Sequence, residues 1–141
     1  MSSETQKFKA EIIVEVLGKP KEHLITTLEG IAEQIDAEKG IKIIKKTIHE
    51  PNEVKEKEGM FTTYAEFELE LDAIINILLV MFKYMPSHIE LISPEKLIIT
   101  NGNFSETLNE ITRRLHRYEE LVRVMEAEKK ILENKLRAKE N

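Results

Sequence analysis

The sequence predicts an α+β protein: an antiparallel sheet with two helices on one face, followed by one long C-terminal helix. Three observations carry this. Residues 8 to 16 and 61 to 71 alternate apolar and polar with a period of two, as half-buried strands do. Leu24, Leu28, Ile31 and Ile35 recur at spacings of four, three and four, which draws one apolar stripe along a helix. From Leu108 to Leu136 a three-four repeat runs through a segment with no Gly, Pro or Cys.

Taken in order, residues 1–7 are expected as a flexible N-terminus. In the first strand Phe8, Ala10, Ile12, Val14 and Val16 share one face, and Lys9, Glu11, Ile13 and Glu15 the other. Gly18 and Pro20 punctuate its end. Pro20 suits the first turn of a helix, where a missing N–H costs nothing, and this helix should reach about Lys39 with Gly40 as its stop. Residues 41–50 read as a strand with blurred alternation, hence bulged, ended by Pro51. Residues 50–59, EPNEVKEKEG, are Glu/Lys-rich and read as a mobile loop. The clearest strand follows: Phe61, Thr63, Ala65, Phe67, Leu69 and Leu71 point one way, and Thr62, Tyr64, Glu66, Glu68 and Glu70 the other.

Asp72 is a suitable N-cap for a helix over about 73–85. That helix is apolar almost all round, so it should be buried on more than one side. Its β-branched residues leave a strand as the alternative. Residues 88–92 form the next strand, Pro94 breaks it, and 96–100 read as a short further strand. Residues 101–103 turn the chain into the last helix, capped by Asn103 or Ser105. The order β-α-β-β-α-β over 8–100 is the ferredoxin-like sandwich arrangement, and 104–141 is expected as a coiled-coil helix.

The coiled-coil expectation rests on Leu108, Ile111, Leu115, Tyr118, Val122, Met125, Lys129, Leu132 and Leu136. Their spacing keeps a narrow a/d seam for four heptads, where a lone amphipathic helix needs a broader stripe. A rod of roughly 34 residues is about 50 Å long, more than a small domain covers, so the simplest partner is the same helix of a second chain. In a parallel pair Arg114 would face Glu119 and Lys135 would face Glu140, both attractive, while Glu128 would repel Glu133. These flanks lean toward parallel. Lys129 stands at an a position, where a charge restricts register or oligomer number. Leu121, Val124 and Ile131 lie off the seam and leave room for a trimer or a further binding partner. The alternative is a helix folded back on its own sheet.

Composition bounds the function. The chain has 141 residues, a net charge of −5 and no cysteine. Disulfides and thiolate chemistry are therefore excluded, and the acidic balance argues against non-specific binding to nucleic acid or membranes. The start, MSSETQKFKAE, has no apolar signal stretch, and the longest apolar run, AIINILLVMF, is too short to span a bilayer. A cytoplasmic location is expected.

Candidate chemistry is sparse. His23, His49, His88 and His116 have no metal-ligand spacing, although His49 and His88 both fall near strand ends. Ser87 beside His88 does not make a dyad, since neighbours in sequence cannot supply the required geometry. No Gly-rich phosphate loop is present. Glu66, Glu68 and Glu70, with Glu11 and Glu15 from the adjoining strand, could gather on the open sheet face, within reach of Lys9 and Lys46. A solvated face is the simpler reading of that row than a metal or acid–base site. RNA-binding sheets of this order present aromatic and basic residues. Here Tyr64 is alone among glutamates, and RRLHR at 113–117 is the sole basic cluster of note. No catalytic residue, cofactor or metal is expected.

With Gly18 at the first strand–helix turn and LGKP at 17–20, the order resembles small regulatory domains of the ACT type, which implies an effector near that turn. The usual Asp-x-Pro-Gly form of the turn is missing. EVLGKPKEH (15–23) and YMPSHIELISPEKL (84–97), with the tail, resemble an uncharacterised group of small archaeal proteins, which implies no activity. The expected function is a non-enzymatic protein-interaction and oligomerisation module, dimeric through the tail. Ile74, Ile75, Leu78, Leu79 and Phe82 would offer a second interface. An ACT-like ligand-binding domain and a ribosome- or RNA-associated factor are the alternatives.

Overall fold

A computed structural model describes residues 7–140, and the N-terminus expected as flexible lies, but for Lys7, outside them. The elements are β1 (Phe8–Gly18), α1 (Lys21–Ala37), β2 (Ile41–Ile48), β3 (Asn52–Glu53), β4 (Phe61–Leu71), α2 (Ile75–Tyr84), β5 (His88–Ser93) and α3 (Asn101–Glu140). The chain divides into two compact units between Ile98 and Ile99. No described helix is long and apolar enough to cross a membrane.

The first unit is a five-stranded antiparallel sheet in the order β2-β4-β1-β5, with β3 also paired to β4. β1 and β4 pair along their whole length, from Phe8 opposite Leu71 to Gly18 opposite Phe61. Their alternation therefore sorts two complete faces. Ala10, Ile12, Val14, Ala65, Phe67, Leu69 and Leu71 are buried with Leu28, Ala32 and Ile35 of α1 and Ile77, Val80 and Tyr84 of α2. The other face carries the glutamates.

Several elements differ from the sequence reading, each for a physical reason. Pro51 has no N–H to give the ladder, so β2 stops at Ile48. The chain then resumes pairing as β3 on the same strand, Asn52 opposite Thr62 and Glu53 opposite Phe61. Residues 50–59 are thus in part a strand rather than wholly a loop. The blurred alternation of β2 is a register shift between Ile43 and Lys45. Residues 96–100 form no strand; Ile98 is 98% exposed and this stretch has no ladder partner.

Residues 73–85 are helical at their centre, and α2 spans Ile75–Tyr84. Asp72 does not cap it. The Asp72 N–H donates to the Gly40 carbonyl at 2.9 Å, and its carboxylate lies 3.7 Å from Lys7 Nζ. Asn76 serves the helix start instead, its Oδ1 accepting from the Ala73 N–H at 3.0 Å. Leu78 is only 5% exposed and belongs to the core, while Ile74, Ile75, Leu79 and Phe82 are half-buried. Met81 and Met85 are the apolar residues of this region that face solvent most.

α1 follows Pro20, which stands just before the first turn, and it ends before Gly40. Gly40 has φ +84°, and a Cβ there would meet Asn76 Nδ2 at 3.0 Å. The turn into β2 thus requires both the left-handed backbone and the missing side chain. The replacement Gly40→Ala is expected to cost about 1–3 kcal/mol, read as a lower urea midpoint at unchanged slope. An unchanged midpoint would show that this turn does not constrain the start of α2.

Candidate functional site

Four surfaces could carry function: the open sheet face, a groove at the first strand–helix turn, the ends of α1 and α2, and the exposed seam of α3.

On the open face the ladder sets the rows. Lys42, Glu70, Lys9 and Ser93 lie side by side, and beside them Lys45, Glu68, Glu11 and Glu90. A third row runs Thr47, Glu66, Ile13, His88. The β2 bulge decides which lysine meets the acids: it turns Lys45 to the open side opposite Glu68 and leaves Lys46 opposite the inward Phe67. Alternation alone would give that part to Lys46. Lys45, Glu11, Glu66 and Glu68 line a small recess of about 140 Å³. Among the described residues no group of three or more His, Asp or Glu is placed to hold a metal ion.

His49 and His88 do not meet. β4 and β1 stand between their strands, a separation of roughly 14 Å at the usual strand spacing. His49 stacks on Tyr64 with ring centroids 4.1 Å apart, and its Nε2 lies 3.0 Å from Glu66 Oε2. The Thr63 hydroxyl donates to the His49 carbonyl and fixes the backbone there. His88 lies 3.7 Å from Glu90, and the Ser87 hydroxyl donates to the Ile13 carbonyl at 3.3 Å. Ser87 is thereby engaged with backbone. His116 lies 4.0 Å from Glu119 on α3, and His23 donates its N–H to the Pro20 carbonyl in the first turn of α1.

The groove at the β1–α1 turn measures about 470 Å³ and is lined by Lys19, Pro20, Lys21, Glu22, Gly59 and Phe61. It lies where the ACT-type resemblance would put an effector, although Gly18 itself is not in its wall.

The ends of α1 and α2 meet in a polar cluster that sequence reasoning missed. Glu38 Oε2 accepts from the Tyr84 hydroxyl at 3.3 Å and lies 3.2 Å from Lys83 Nζ. Lys83 also stands 5.7 Å from the centre of the Tyr84 ring. Burial, then the Glu38 charge and its hydrogen bond, push the Tyr84 phenol up to about 12. Glu38 and Tyr84 lie 46 residues apart in sequence, and only the tertiary fold brings them together.

In the second unit α3 starts earlier than expected. Thr100 caps it, its Oγ1 accepting from the Asn103 N–H at 3.1 Å, so neither Asn103 nor Ser105 does. No residue of α3 is buried. Of the nine seam positions, Leu108, Leu115, Tyr118, Val122, Met125, Leu132 and Leu136 are exposed apolar residues, Leu115 by 56% and Leu136 by 62%. Ile111 is half-buried and Lys129 exposed. Leu121, Val124 and Ile131, off the seam, are exposed as well. The polar flanks pair along the helix: Glu110 with Arg113 and Arg114, Glu119 with Arg123, and Glu133 with Arg137.

The chain matches the MJ0538 family over residues 9–137, an uncharacterised family named after a Methanocaldococcus protein. No curated protein and no solved structure matches it.

The Tyr84 cluster gives a pH dependence. Its folded pKa lies above the ordinary value of 10.0. Between about pH 10 and 12 the unfolded chain therefore loses a proton that the folded chain keeps, and the stabilisation, complete below pH 10, is lost as pH rises. The tyrosinate absorbance of wild type minus Tyr84→Phe should titrate near 12. A difference curve centred at 10 would contradict the cluster.

Proposed function

We propose that this chain, which belongs to the MJ0538 family, is a non-enzymatic interaction and oligomerisation module: a ferredoxin-like head on a coiled coil formed with a second copy. The observation that carries the reading is the seam of α3, nine residues at strict three-four spacing on a helix with no buried residue. Contiguous apolar surface of this length marks an interaction site. The narrow a/d form of the seam selects a helix as its partner. The strand order β2-β4-β1-β5, with helices following β1 and β4, supports the ferredoxin-like assignment of the head.

A second reading has one observation in its favour. The groove walled by Lys19, Pro20 and Lys21 stands at the turn where an ACT-like domain would hold a small effector. Thermal shift against amino acids and nucleotides separates the two, because an interaction module gains nothing from them. A role in RNA binding has less support. Glu11, Glu15, Glu66, Glu68 and Glu70 occupy the face such domains use, and phosphate affinity needs clustered positive charge.

The tail is the direct test. Leu115→Asp with Val122→Asp puts an unpaired carboxylate at two core positions, each costing several kcal/mol on burial, roughly 3 or more. Light scattering should show a dimer become a monomer, while the strands of residues 8–93 keep their circular dichroism. Lys129→Leu should raise dimer stability by about 1–3 kcal/mol. A wild-type monomer at tens of micromolar would show that the stripe serves the single chain.

A further inference from the structure

The seam also bears on how two such helices would be oriented. This step rests on the proposed dimer. We infer that the two α3 helices pair antiparallel, centred between Tyr118 and Val122, with Lys129 of each chain packed against Ile111 of the other.

The seam is longer at its N-terminal end than the nine residues alone indicate. Phe104, four residues before Leu108 and 51% exposed, continues the spacing. Ten positions then run from Phe104 to Leu136. Laid antiparallel about their midpoint, all ten find a counterpart: Phe104 with Leu136, Leu108 with Leu132, Ile111 with Lys129, Leu115 with Met125, and Tyr118 with Val122. Each layer joins an a residue to a d residue. A shift of one heptad in either direction strands seam residues at the ends, so this register buries most.

Lys129 decides between orientations. In a parallel in-register pair each a residue faces its own copy, which sets two ammonium groups against each other in one core layer. Antiparallel pairing separates them: each lysine stem covers an isoleucine, with Glu126 and Glu133 of its own helix three and four residues away. Leu121 supports the same choice. It is exposed at a flanking g position. Parallel pairing sets it against Glu126, whereas antiparallel pairing brings it onto the partner's Leu121 at the two-fold axis. The flanks oppose this only slightly. Arg114 meets the partner's Glu128 twice, and the pair of Glu119 residues at the axis is the one repulsive contact. Parallel flanks offer more attractive pairs, through Glu119 and Glu140, but also two repulsive Glu128–Glu133 contacts. Exposed pairs of this kind carry little weight beside a core layer. Opposed helix dipoles act in the same direction.

The chain has no native cysteine, so single thiols report orientation cleanly. Phe104→Cys and Leu136→Cys chains are mixed, allowed to exchange, and treated with a short bis-maleimide at a concentration where light scattering gives a dimer. The expected product is the mixed cross-link alone, because copies of Leu136→Cys would stand about 48 Å apart. Efficient cross-linking of Leu136→Cys to itself, with no mixed product, would overturn the orientation while leaving the dimer intact. A monomeric mass in the same sample would remove the dimer itself, and the orientation with it.

Discussion

The ladder between β1 and β4 is the constraint from which the first unit follows. Eleven consecutive pairs tie Phe8–Gly18 to Phe61–Leu71. Both strands alternate without interruption. A slip of one residue would turn Glu66, Glu68 and Glu70 inward in place of Phe67, Leu69 and Leu71, so the register is strongly specified. With the two faces sorted, both helices must cover the apolar one, and Phe67 and Leu69 at the centre are completely buried. β2 and β5 then extend the sheet at its edges. The same parity lines the open face with carboxylates, and this is why the face suits solvent better than phosphate.

The C-terminal helix meets the opposite circumstance. It has a regular apolar seam and nothing in its own length to cover it. Intrahelical ion pairs such as Glu110–Arg114 and Glu119–Arg123 contribute about 0.2–0.5 kcal/mol each. Burying the exposed part of a leucine contributes roughly 1 kcal/mol or more, and the seam repeats that gain along its length. Packing outweighs the surface pairs, and in proteins it is packing of one face that stabilises most helices. On the proposed reading, a second helix matches a seam this narrow. The proposed role as an interaction module follows from that imbalance between a self-sufficient head and a tail that is not.

Much of this architecture is legible in the sequence wherever a period runs for many residues. The long strands, both crossover helices and the final helix come from alternation or from three-four spacing. What is not legible depends on single contacts between distant residues. Asp72 looks like a cap, but its carboxylate lies beside Lys7, and it is Asn76 that accepts from the Ala73 N–H just before α2. Thr100 starts α3 from within a stretch that reads as a strand, because Leu97, Ile98 and Ile99 are β-formers with no ladder to join. A single bulge after Ile43 exchanges the roles of Lys45 and Lys46, which no periodicity could reveal. Leu78 reads as surplus apolar area until α2 is placed, and then it is core. The Tyr84–Glu38–Lys83 cluster has no local signature at all.

On the proposed reading, α3 is covered by a second chain. Amide hydrogen exchange measured at several protein concentrations tests it most directly, since protection conferred by another molecule follows mass action. Amides of residues 104–136 should become slower to exchange as concentration rises, while those of β1 and β4 do not change. Exchange along α3 that is the same at every concentration would contradict it.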